Sequence, residues 1–544
     1  MPESDSPISP DQIAAAESLL DLDFTPAQRE QMRKTLSQRL AQFASIRSAP
    51  LDNSIAPALR FDIDPPATAP VPRTYAMSAQ PPVPRPADLE DAAFFTITQL
   101  AELVRSRQVT SLELTEMYLR RLKRYDPILQ CVAAYTEELA YEQAKRADDE
   151  IARGLYRSPL HGIPWGAKDL LATRGYPTQW GAMPYKDQQL AYDATVVQRL
   201  EAAGAVLIAK LTLGALANGD IWYGGTTKNP WDISEGSSGS SAGPGAATAA
   251  GLVGFSIGSE TMGSIVSPST RCGLTGLRPT FGRVSRHGAM ALSWSMDKLG
   301  PMCRSVEDCA LVFSAIYGPD GLDATCSPQA FVWDPALDPL NLRVAYVASA
   351  FEPEAVGTDD PDKQELYRSH LANSVAVLDV MRAKEFELTP IQLPDREIGG
   401  LWTILEAESA AAFDQITRDG RVDSMKRQDD SAWPNIFRAA RLIPAVEYIN
   451  ANRVRTQLMQ DMARVMSEVD VFIVPSYGAN ALQITNFTGH PCVVLPNGFT
   501  DKGTPTSISF IGGLYKEAET LSVAKAYQDG SDWHKQYPDL SAAQ

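Results

Sequence analysis

Lys168 follows a tight apolar turn, Gly162-Ile163-Pro164-Trp165-Gly166-Ala167, and precedes Asp169. A lysine with the ordinary pKa near 10.4 is almost wholly protonated at pH 7 and is no base. Desolvation among small apolar groups disfavours the ammonium, which moves it in the direction a base requires. On spacing alone the same pattern fits a surface lysine. Downstream, Ser234 to Ser269 packs 10 Ser, 8 Gly and 5 Ala into 36 residues. Such a composition ordinarily marks a flexible linker, yet Leu252, Val253, Phe255 and Ile257 run through it and charges are few. Small residues inside a core bring backbone close and leave many N–H groups to serve an anion or oxyanion.

Three chemistries compete for this stretch. Gly258-Ser259-Glu260-Thr261-Met262-Gly263-Ser264 has the glycine spacing of a phosphate loop. It lacks the lysine that should follow Gly263, and Glu260 would repel phosphate. Gly239-Ser240-Ser241-Ala242-Gly243 fits a nucleophile elbow centred on Ser241, which needs a late histidine. His490 and His534 come in the right order but sit in no recognisable motif. A buried lysine acting through serine hydroxyls is the third.

The elements that must position these groups read as mixed α/β. Thr25-Pro26-Ala27-Gln28 is a capping box opening a helix striped by Met32, Leu36, Leu40 and Phe43. Ile13, Ala16, Leu19 and Leu20 give a shorter stripe before it. Two helices bury little alone, so the pair is expected to pack on the main body. Eight prolines between Pro65 and Pro86 exclude helix and central strand there, leaving an extended strap. Helices are expected from Thr98 and from Thr110-Ser111-Leu112-Glu113, the second carrying Leu114, Tyr118 and Leu122. Apolar strands such as Ala205–Ala209 then alternate with helices, which favours α/β layering. Further helices are expected over Leu366–Met381 and Leu401–Ile416, and strands at Val344–Val347, Val471–Val474 and Pro491–Leu495.

The chain has 544 residues, 44% hydrophobic and 21% charged, which suits a globular protein with a large core. Its net charge of −17 without Lys/Arg clusters argues against nucleic-acid binding. Met1-Pro2-Glu3-Ser4-Asp5 carries no secretory signal pattern, and no apolar run is long enough for a membrane span. Six cysteines without CxxC spacing read as buried free thiols in a reducing cytoplasm.

Together these motifs resemble the amidase signature family. There, G-I-P-x-x-x-K-D supplies a lysine, G-S-S-G-G a bridging serine and G-G-S-I a nucleophile 24 residues later. Gly162 through Asp169, Gly239 through Gly243, and Met262-Gly263-Ser264-Ile265 match in turn, with 24 positions from Ser240 to Ser264. The likeness continues through Gly273 to Arg286 and Asp297-Lys298-Leu299-Gly300-Pro301, and resumes near Val471 to Pro475 and Pro491 to Tyr527.

The resemblance implies a large mixed twisted β-sheet sandwiched by α-helices. Residues 95–544 would form the amidase signature domain, with a core of 95–318 and 440–535 and a substrate-shaping region at 319–439. Residues 1–64 would be a helical extension and 65–94 the strap. It also implies that Ser264 attacks a carbonyl, Ser240 relays the proton after a cis Gly239–Ser240 bond, and Lys168 is the base. The N–H groups of Thr261, Met262, Gly263 and Ser264 would form the oxyanion hole. Asp169, Gly239 and Ser241 would support the site, Asp169 alternatively capping a helix and Ser241 only satisfying backbone. No metal or organic cofactor is implied.

The expected activity is hydrolysis of linear carbon–nitrogen bonds in small-molecule amides, extending to aryl esters and carbamates, by a monomer or homodimer. The alternative is an amidotransferase A-like subunit that works in a complex. Two departures stand out from the family's D-x-G-G-S-I-R: Met262 replaces a glycine and Val266 the arginine. Arg271 is expected to take over by pairing with Glu260. Met262, Met290, Trp294 and Tyr223 could line an apolar pocket or belong to the core.

Overall fold

The computed structural model describes residues 7–59, 68, 71–79, 81–353 and 360–540; Met1–Asp5 and Pro65–Pro66 lie outside them. The expected capping box is formed. Thr25 Oγ1 accepts the Gln28 amide while Gln28 Oε1 accepts that of Thr25, and the helix runs Pro26–Ser48. Met32, Leu36 and Phe43 are buried, but Leu40 is exposed. Arg39 takes the inward position instead, 2.7 Å from Glu406. The first helix, Pro10–Ser18, stops short of Leu19 and Leu20, which face solvent. Ile13, Phe24, Met32 and Leu36 pack with Ala439, so the pair is attached to the main body.

The strap is extended as far as Pro86 where described, but its end, Leu89–Phe94, winds into a 3-10 helix where prolines have given way to Leu, Ala and Phe. It is tied down along its length. Arg73 donates to the Ser314 carbonyl at 3.0 Å, and the Tyr317 hydroxyl donates to the Pro72 carbonyl. The next helices, Ile97–Arg105 and Ser111–Leu129, each open on a capping box, from Thr96 and Thr110.

Among the described residues, fifteen strands follow in chain order. They are β1 (Val132–Tyr135), β2 (Pro164–Lys168), β3 (Val206–Leu211), β4 (Ile221–Trp222), β5 (Gly225–Thr226), β6 (Lys228–Asn229), β7 (Asp232–Gly236) and β8 (Phe255–Glu260). Then come β9 (Thr275–Arg278), β10 (Lys298–Cys303), β11 (Val344–Val347), β12 (Leu388–Ile391), β13 (Val471–Pro475), β14 (Cys492–Phe499) and β15 (Pro505–Gly512). Eleven form one mixed sheet in the order β1-β3-β2-β8-β10-β9-β14-β15-β13-β11-β12, and the other four make two small ribbons. Strand β2 runs parallel to both β3 and β8, whereas β10 is antiparallel to β8. Every residue of β2, β3, β8, β9 and β10 is buried, as strands covered on both faces must be.

The expected helix over Leu366–Met381 extends to Pro361–Ala383. That over Leu401–Ile416 breaks at Phe413, which leaves helical geometry and stacks its ring on Phe437. Among the described residues, no helix is long and apolar enough to cross a membrane.

Candidate active site

The tiny-residue stretch is ordered core. It forms β7, the helix Ala242–Ala249, β8 and the helix Val266–Cys272. Gly239 lies in a cis peptide with Ser240. A Cβ on Gly239 would come within 1.9 Å of the Gly219 carbonyl oxygen, so only glycine fits.

Lys168 ends β2, and the pairing of Ala167 with Ile257 carries it alongside the end of β8. Its amine is fully buried, 2.8 Å from Ser240 Oγ, 2.9 Å from Ser241 Oγ and 2.8 Å from Ser259 Oγ. Burial pushes the amine well below its ordinary pKa, and the charges of Asp297 and Glu260 oppose this only in part. Ser241 also accepts the Ser259 amide and donates to the Ser259 carbonyl, so it serves both the lysine and the backbone. Ser259 is a third hydroxyl on the amine that the sequence reading missed, hidden among ten serines.

Asp169 caps no helix. It pairs with the buried Lys210 of β3 at 2.9 Å and accepts the Gln179 amide. Burial drives both partners toward their neutral forms, against their mutual attraction.

Ser264 is nearly buried and precedes the helix Val266–Cys272, and its carbonyl accepts the Ser241 amide. Gly263 adopts φ +96, where a side chain would be strained. Among the described residues, the amides of Met262, Gly263 and Ser264 donate no hydrogen bond, whereas those of Ile265 and Val266 both donate to Glu260 Oε2. Three consecutive open donors on one turn make a concavity for negative charge.

The expected Arg271–Glu260 pair is not formed. Arg271 is half exposed and pairs with Glu235. Glu260 Oε1 is held by Arg278 and by Asn486 Nδ2, each at 2.8 Å. Arg278, at the end of β9, is wholly buried beside the acid; Arg271 sits in the last turn of the helix Val266–Cys272, at the surface. Burial alone would raise the Glu260 carboxyl, but Arg278 and Lys298 override it and hold it at about 2.

Two cavities reach residues beside the serines. One of about 240 Å³ is lined by Leu170, Ser259, Thr261, Met290, Trp294 and Asp297. Another of about 850 Å³ is lined by Ser238, Ser267, Thr270, Arg271 and Tyr477. Met290 and Trp294 therefore face space, whereas Met262 packs on the core and Tyr223 packs on Trp222. His490 is buried, bonded to Thr488 and pushed down to about 3 by burial, so no imidazole base is available from it.

The family model described as Amidase matches residues 113–521. A putative amidase, AmiD, of Mycobacterium tuberculosis is 35% identical over 499 residues, covering 86% of this chain and all of that one. The A subunit of the Coxiella burnetii glutamyl-tRNA(Gln) amidotransferase is 32% identical over 492 residues, 82% of this chain and 99% of the relative. Among solved structures, the native peptide amidase of Stenotrophomonas maltophilia superposes with a TM-score of 0.70 at 26% identity, over 83% of this chain and all of that chain. With the matched segment spanning most of its length, the chain belongs to the amidase family.

Proposed function

We propose that the protein hydrolyses the carbon–nitrogen bond of linear amides through an acyl-enzyme on Ser264. The observation that carries this reading is the buried Lys168 amine beside Ser240 Oγ, in surroundings that favour its neutral form. The Ser264 hydroxyl attacks the carbonyl carbon as its proton passes to Ser240 and the Ser240 proton passes to Lys168. The developing oxyanion takes hydrogen bonds from the open amides of the Thr261–Ser264 turn. The proton held by Lys168 returns through Ser240 to the nitrogen as the carbon–nitrogen bond breaks, because an amide anion leaves poorly. Water then attacks the ester on Ser264 by the same route reversed and releases the acid.

The apolar faces of Leu170, Met290 and Trp294 suit a hydrophobic substituent next to the carbonyl, and aryl esters and carbamates extend the range. The test is a panel of anilides, aliphatic amides, amino-acid amides and aryl carbamates, run with wild type, Lys168→Ala and Ser264→Ala. The purified chain alone is expected to turn over at least one class, with both variants inactive. Inertness on every class unless partner chains are added would instead favour the amidotransferase reading.

A further inference from the structure

The Thr261 side chain donates from Oγ1 to Asp297 Oδ1 at 2.6 Å. Asp297 sits immediately before β10, and its other oxygen accepts the amides of Leu292 and Ser293 at 2.8 and 3.0 Å. That loop is gripped from a second element. Ser293 Oγ donates to Glu408 Oε2 at 2.5 Å and the Ser295 amide donates to the same oxygen at 3.1 Å. Glu408, on the helix Trp402–Ala412, also accepts the Tyr448 hydroxyl at 2.8 Å, and Arg455 donates to both Ser295 Oγ and its carbonyl. Thr261, Ser293 and Glu408 are buried, so these contacts are made where an unpaired partner would be costly.

These contacts form a continuous chain from the helix Trp402–Ala412 to the turn that carries the open amides. Glu260 fixes the C-terminal end of that turn through Ile265 and Val266. At its N-terminal end the side-chain bond made by the first residue of the turn, among the described residues, is that of Thr261 to Asp297. We propose that Asp297 is a positioning residue that sets the aim of the oxyanion amides through the Thr261 hydroxyl, and that Glu408 holds the Asp297 loop in place from the substrate-shaping region. A rigid donor array is what electrostatic stabilisation of an oxyanion requires, because the donors must not reorganise as charge develops.

This inference rests on the catalytic reading of Ser264, so its test uses an alkyl fluorophosphonate, which phosphonylates an activated serine, places its oxygen among the same donors and needs no knowledge of the natural substrate. The rate of labelling at saturating probe and the apparent probe affinity are measured separately, with mass spectrometry locating the adduct. Loss of a donor outright typically costs about 10²–10³-fold, so a donor left in place but loosened should cost roughly tenfold. Thr261→Val is expected to label roughly tenfold more slowly with little change in affinity, and Thr261→Ser, which keeps the hydroxyl, to recover most of that rate. Asp297→Leu, which removes both acceptor oxygens, should be as slow as Thr261→Val and serves if the latter does not fold. A Thr261→Val protein that labels like wild type, or a Thr261→Ser protein as slow as Thr261→Val, overturns the inference while the reading of Ser264 stands. A wild type not labelled on Ser264 overturns both.

Discussion

Arg278 Nη1 lies 2.8 Å from Glu260 Oε1, with both side chains wholly excluded from solvent. The pair joins the end of β8 to the end of β9 across the intervening β10. It also fixes which Glu260 oxygen is left to cap the helix that follows Ser264. The sheet and the segment that carries Ser264 thus share one carboxylate.

Breaking a buried pair on one side strands the other charge, at a typical cost of about 3–5 kcal/mol. Arg278→Met should therefore lower unfolding stability by about that amount, measured by urea denaturation at pH 7. Because the Glu260 carboxyl is held at about 2, its contribution is present above the ordinary glutamate range and fades as pH falls toward 2. Wild type should lose stability over that acid window more steeply than Glu260→Gln does.

In the proposed mechanism Lys168 acts as a free amine. The acid limb of the pH–rate profile should therefore lie well below the ordinary lysine pKa, with activity rising as pH climbs through it. Lys168→Arg keeps the charge but cannot shed its proton, so it should fall at least about 10²-fold, alongside Lys168→Ala. An arginine variant retaining a tenth of wild-type kcat would exclude the lysine as base.

Gly239→Ala tests the tight packing before Ser240. The added methyl would overlap the Gly219 carbonyl, a backbone atom that cannot swing aside. Overpacking of this kind costs typically about 1–3 kcal/mol, so a melting temperature lower by about 1–3 °C is expected for a chain of this length, together with lost turnover. A variant that melts with wild type would show that the Gly219 segment yields.

All six cysteines are free and buried. Burial raises the thiols of Cys131, Cys272 and Cys303, which suppresses their reactive thiolate form. A chromogenic thiol reagent should react slowly with the native protein and titrate six thiols promptly in guanidinium. A thiol that reacts fast in the folded protein would locate an unexpected opening.

Much of the local structure was legible because it obeys short-range rules. The box at Thr25 and Gln28 opened its helix where expected, and Val344–Val347 formed a strand with the expected ends. The lysine and the two serine motifs could be placed together only through family likeness, since nothing local says that residues 168 and 240 meet. Arg278 was the partner of Glu260 rather than Arg271, a choice made by strand order and not by proximity in sequence. Ser259 left no signal because it is one of ten serines in a stretch of small residues, and it is the strand pairing of β2 with β8 that brings the end of β8 beside Lys168. Leu40 misled because apolar character was read without asking which neighbour, Arg39, had an acid waiting for it.

The hydroxyls around the Lys168 amine, together with the open amides, all come from one contiguous run between Ser240 and Ser264, while the cavity walls at Met290, Trp294 and Tyr477 come from elsewhere. Most of the wall residues are thus separate in sequence from the hydroxyls, although Ser259 and Thr261 belong to both. Recasting Met290 or Tyr477 by directed mutagenesis is expected to change which molecules fit while the Ser240–Ser264 run stays untouched, whereas Trp294 lies in the loop that Asp297 holds.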